Sequence, residues 1–143
     1  MRQTYRVLAI SIALGVVVQA ASVALGWFLT LKDLDDGQVL DKDFDYNAGQ
    51  IVHSIFGLMV IPLLAIILFV ISFFAQIDGG VKWAGFVLLA VILQIALAII
   101  AFGVPAVGAL HGINAFVVAG LAGFAGRRAA EAPTTETATP VSA

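Results

Sequence analysis

The chain contains no cysteine, which excludes disulfides, thiolate-held iron–sulfur clusters, covalent porphyrin attachment and cysteine nucleophiles. Charge is almost as scarce, at 11% of 143 residues. None of it falls in the four longest apolar stretches, so a proton relay, an ion-coupled transporter or a voltage sensor has no visible parts. There is also no Ser-His-Asp spacing, phosphate loop or dinucleotide fingerprint, and nothing basic enough to suggest nucleic acid as a partner.

What remains is apolar: 62% of the residues are hydrophobic and the mean hydropathy is +1.08, far from the composition of a soluble domain. About 20 apolar residues cross the hydrocarbon core, and four stretches reach that length, 7–31, 51–77, 83–104 and 107–126. Helices satisfy their own backbone hydrogen bonds where water is absent. The expectation is therefore an all-α integral membrane four-helix up-and-down bundle over residues 1–128 in the lipid bilayer, followed by a polar, disordered tail over 129–143.

Arg2 and Arg6 precede the first stretch, Lys82 lies between the second and third, and Arg127 and Arg128 follow the fourth. The positive-inside rule places these five in the cytoplasm together with both termini, so a cytoplasmic membrane crossed four times is the expected location. A basic leader with Val18-Gln19-Ala20 as a small-residue site offers a cleaved signal peptide as a competing reading, but the apolar run continues to Leu31. The first loop then faces outward with Asp33, Asp35, Asp36, Asp41, Asp43 and Asp45. Its Asp41-Lys42-Asp43-Phe44-Asp45 begins like a calcium loop, yet Tyr46 stands where glycine is needed and Val52 where the bidentate glutamate belongs.

The rare polar residues within the spans form a pattern. Val16-Val17-Val18-Gln19-Ala20-Ala21 aligns with Val91-Ile92-Leu93-Gln94-Ile95-Ala96, His53-Ser54-Ile55 with His111-Gly112-Ile113, and Gly57 with Ala115. Chance likeness between apolar helices competes with a tandem repeat of two helix pairs. His53 and His111 are the only histidines, and at 1.5 Å rise they lie about 3 and about 6 Å below the outer starts of the second and fourth spans. Those spans are usually diagonal in such a bundle and face each other across the core.

Two neutral imidazoles at one level on facing helices can complete the axial sites of a single b-type haem, with His53 and His111 as metal ligands and the small Gly57 and Ala115 beside its flat body. Hydrogen bonding across the bundle by structural histidines is the alternative. Only Lys32 and Lys42 as cations, with Tyr46, Asn47, Gln50 and Asn114 as neutral donors, stand near enough for propionates. Gln19 and Gln94 fall near mid-membrane, where they bond across helices or line a site for a quinone. Pro62 should kink the second span. The glycines at 108 and 112 and at 120, 123 and 126 suit close packing within the chain or in a homodimer.

With its basic leader, polar first loop, His53 and a fourth span led by Leu110-His111-Gly112-Ile113-Asn114-Ala115 and closed by Gly126-Arg127-Arg128, the chain resembles a family of small four-span prokaryotic membrane proteins of unknown function, over about residues 5 to 128. One histidine at the outer end of each even-numbered helix is more distantly similar to a half of haem A synthase and to four-helix b-type cytochromes. That resemblance implies a haem-binding bundle in electron transfer with a quinone or another membrane redox protein. Haem A synthase halves carry a glutamate three residues before the first histidine; this chain has Gln50 there. The second expectation is a non-catalytic accessory or assembly subunit.

Overall fold

In the computed structural model, which describes residues 1–131, helices α1 (Arg2–Asp35), α2 (Ala48–Ile55), α3 (Ile61–Ser72), α4 (Gly80–Gly103) and α5 (Val107–Glu131) make an all-α bundle. A single π-helical turn, Phe56–Val60, joins α2 to α3 into one continuous rod. Four rods result, each long and apolar enough to cross a membrane. α1 packs on α5 and on the α2–α3 rod, and α4 packs on α3 and α5. The α2–α3 rod is therefore diagonal to α5, and α1 to α4.

The boundaries depart from the apolar stretches where local chemistry intervenes. The second rod stops at Ser72 rather than Ile77 because the chain reverses through Gln76 and Gly79, both at positive φ (52° and 67°). Hydropathy does not register that reversal. α5 runs on to Glu131, so 129–131, expected to begin the tail, are helical; the rest of that expectation lies outside the described residues. α1, with 34 residues, is about 50 Å long and exceeds a ~30 Å hydrocarbon core.

Pro62 has no N–H to give to the preceding turn, and the helix accommodates it just before α3 by the wider π turn, in which the Ile61 N–H reaches the Phe56 carbonyl. The expected perturbation is thus a π turn one turn ahead of the proline.

Apolar burial is confined to one half of the bundle. Tyr5, Ala9 and Ile12 of α1, Ile61, Ala65 and Leu68 of α3, Ala84, Val87, Ala90 and Val91 of α4, and Val118, Ala122, Ala125 and Ala129 of α5 form the core. All lie toward the end that carries Met1 and Glu131. There Tyr5 Oη donates to Gly80 O at 3.0 Å, tying α1 to the start of α4. In the other half, the buried residues of the spans among those described are Ser22, Gly26, Thr30, Gly49 and Asn114.

Ser22, Gly26 and Thr30 repeat every four residues along one face of α1, the small-residue spacing that lets helix backbones approach. A Cβ on Gly49 would lie 2.2 Å from Gly26 N and 2.6 Å from Ser22 O, so α1 and α2 touch main chain to main chain. Asn47 secures the contact. Its side chain accepts from Gln50 N in a capping box, and its Nδ2 donates to Gly26 O at 2.9 Å and to Thr30 Oγ1 at 3.1 Å.

Candidate functional site

In the half of the bundle without an apolar core, each hairpin places one glutamine against one histidine. Gln19 Nε2 of α1 donates to the His53 carbonyl at 3.1 Å, and Gln94 Nε2 of α4 donates to the His111 carbonyl at 2.9 Å. The aligned positions of the two hairpins thus make the same bond. Gly57 makes the first possible, because a Cβ there would meet Gln19 Nε2 at 2.7 Å. The glycine expected to flank a flat ligand is occupied by a neighbouring amide.

His53 and His111 meet across the bundle with ring centroids 6.2 Å apart and planes inclined at 69°. Two imidazoles sharing one metal at about 2 Å from each nitrogen have centroids roughly 6 Å apart, so the spacing suits a shared metal. The ring settings differ. His111 Nδ1 lies 3.0 Å from the Gln94 carbonyl and its Nε2 lies 3.2 Å from Gln94 Nε2. Among the described residues His53 Nδ1 is buried without a hydrogen-bond partner. A buried imidazole nitrogen left unpaired costs free energy that a ligand would recover.

Asn114 stands one turn beyond His111 and is buried; its Nδ2 donates to Ala90 O at 2.9 Å and to Gln94 Oε1 at 2.7 Å. Of the donors expected for propionates, Asn114 and Asn47 spend their amide N–H groups within the protein, while Gln50 uses its Oε1 to accept from Asn47 N. Their spacing to helix partners, not their place in the sequence, decides this. Lys32 pairs with Asp36 on the exposed end of α1. Tyr46 and Lys42 remain exposed.

His53 also borders a shallow groove of about 190 Å³ on the bundle surface with Val23, Trp27 and Gln50. No group of three or more His, Asp or Glu able to hold a metal ion occurs among the described residues, so the acidic loop gathers no cation cage. Asp43 N instead closes a local turn on Asp41 Oδ1 at 2.9 Å.

Position-specific reading of single residues missed the α1–α2 contact, although the four-residue spacing of Ser22, Gly26 and Thr30 carried its signal. It also missed Asn114 as the residue that orients Gln94. What the geometry offers chemically is a pair of imidazoles at one depth, one firmly oriented and one unpaired, inside four apolar rods. No family model matches the chain, and no curated protein or solved structure matches it either.

Proposed function

We propose that this membrane bundle holds one b-type haem between His53 and His111 and serves in electron transfer. The observation that carries the reading is the pairing of the two imidazoles across diagonal helices at a centroid separation of 6.2 Å, the spacing of two ligands on one metal. Two further features support it. His111 Nδ1 faces a backbone carbonyl, the partner that metal-binding histidines ordinarily use, and its Nε2 would reach a metal by exchanging Gln94 Nε2 for it. Among the described residues His53 Nδ1 makes no hydrogen bond, and the ring is held less firmly than that of His111, with the Gln19 backbone as its neighbour.

Haem would supply reversible one-electron chemistry at iron. The chain's part is to provide two neutral nitrogen donors, to orient His111 from α4, and to surround the pair with lipid-facing helices that keep water away. Seating the porphyrin body requires the α1–α2 and α4–α5 hairpins to part at this level, where none of the described residues buries an apolar side chain to oppose it.

A second reading has an observation of its own. Gln94 engages both ring nitrogens of His111, which is what a purely structural histidine in an accessory subunit would show. An oxidised and dithionite-reduced visible spectrum of the detergent-purified protein, expressed with ample haem, separates the two. The haem reading expects a sharp reduced α-band that His53→Ala and His111→Ala each alter. A colourless, folded protein that does not take up added haemin sinks it in favour of the accessory role.

A further inference from the structure

The end of the bundle that carries Met1 and Glu131 gathers cations on aromatic faces. Trp83 of α4 and Phe124 of α5 meet with ring centroids 4.3 Å apart, and Phe86, one turn along α4, meets the indole edge to face at 5.6 Å. Three side chains of one sign stand around these rings. Lys82 Nζ lies 5.9 Å from the Trp83 ring and 5.7 Å from that of Phe86, and the guanidinium carbons of Arg127 and Arg128 lie 5.8 and 5.6 Å from Phe124. All four contacts are within the ~6 Å reach of a cation over a ring.

A ring face seats a cation without cancelling its charge. Among the described residues the ion pair is Lys32 with Asp36, at the far end of α1, so no carboxylate neutralises Lys82, Arg127 or Arg128. The carboxylates described at this end are Asp78, in the turn before α4, and Glu131, the last residue of α5. Against Arg2, Arg6 and the three seated cations they leave it positive.

Depth and the neighbouring surface fit a lipid. From Val107 at the start of α5 to Arg127 the helix rises about 30 Å, the thickness of a hydrocarbon core. The arginines therefore reach the level of the phosphates, where a tryptophan such as Trp83 is also at home. Below Lys82, exposed Phe86, Leu89 and Leu93 continue one face of α4, an apolar track on which an acyl chain can lie.

We propose that Lys82, Arg127 and Arg128, seated on Trp83, Phe86 and Phe124, bind the phosphate of an anionic phospholipid and so bridge α4 to α5 at this end of the bundle. Basic pockets between membrane helices take such headgroups. A zwitterionic lipid brings its own ammonium among three cations and is disfavoured. None of these residues lies at the histidine level, so the site stands whether or not haem is bound.

Quenching of Trp83 by brominated lipid reads the site directly. The chain has two tryptophans, so Trp27→Phe in the full-length protein leaves Trp83 as the reporter. In phosphatidylcholine vesicles, brominated phosphatidylglycerol should be enriched beside Trp83 roughly 10-fold over its bulk share, and brominated phosphatidylcholine not at all. Lys82→Gln, Arg127→Gln and Arg128→Gln should each lower the enrichment roughly 2–5-fold, and the triple variant should abolish it. Phe124→Leu, which keeps every cation but removes the seat of two, should lower it too. Lys82→Arg should preserve it, which separates lost charge from lost folding. Equal quenching by the two lipids, or a loss in Arg6→Gln as large as in the three site variants, overturns the site in favour of general surface charge. Relief of the quenching by millimolar inorganic phosphate overturns the lipid as its occupant.

Discussion

Gly49→Ala is the most demanding test of the packing. The added Cβ would lie 2.2 Å from Gly26 N, 2.5 Å from Gly26 Cα and 2.6 Å from Ser22 O, all main-chain atoms that no rotamer change can move. Ordinary contact lies near 3.5 Å, so α1 and α2 must part by more than about 1 Å. Parting stretches the Asn47 bonds to Gly26 O and Thr30 Oγ1, now 2.9 and 3.1 Å, beyond useful length. Overpacking costs about 1–3 kcal/mol, and each interhelical bond in a membrane contributes about 0.6 kcal/mol. The expected loss is thus about 2–4 kcal/mol, before any gain in helix propensity of up to about 1 kcal/mol. Reversible SDS unfolding in bicelles reads it, with Gly112→Ala and Gly120→Ala as controls, since nothing lies within 4 Å of a Cβ at either. If Gly49→Ala proves as stable as those controls, the backbone contact between α1 and α2 is wrong.

Gly57→Ala should cost less, about 1 kcal/mol, because its clash is with the movable end of Gln19 at 2.7 Å; combining it with Gln19→Ala should remove most of that penalty, and additive losses in a double-mutant cycle would refute the contact. Tyr5→Phe deletes the buried bond to Gly80 O at 3.0 Å and should lower stability by about 1 kcal/mol in the same assay; no loss would mean that the hydroxyl does not tie α1 to α4.

The amount legible in the sequence varied with the range of the interaction. Four rods followed from apolar length, and the match of Gln19 with Gln94 and of His53 with His111 pointed to residues that the fold does bring together in pairs. Register between helices was not legible. Whether Asn114 faces solvent-side ligands or the Ala90 carbonyl depends on the rotation of α5 against α4, which hydropathy does not encode. Gly49 and Gly57 read alike as small residues; only the three-dimensional arrangement shows that one meets a backbone and the other an amide. The turn at Gln76 and Gly79 was hidden inside an apolar run because positive φ leaves no trace in hydropathy.

The confinement of apolar burial to the half of the bundle near Met1 and Glu131 gives the molecule two ends held by different forces. Each hairpin keeps its own polar fastening, Asn47 on α1 or Asn114 on α4, so the histidine level is held by directional bonds that a polar competitor can replace, while the opposite end is held by contacts that only a change of shape can undo.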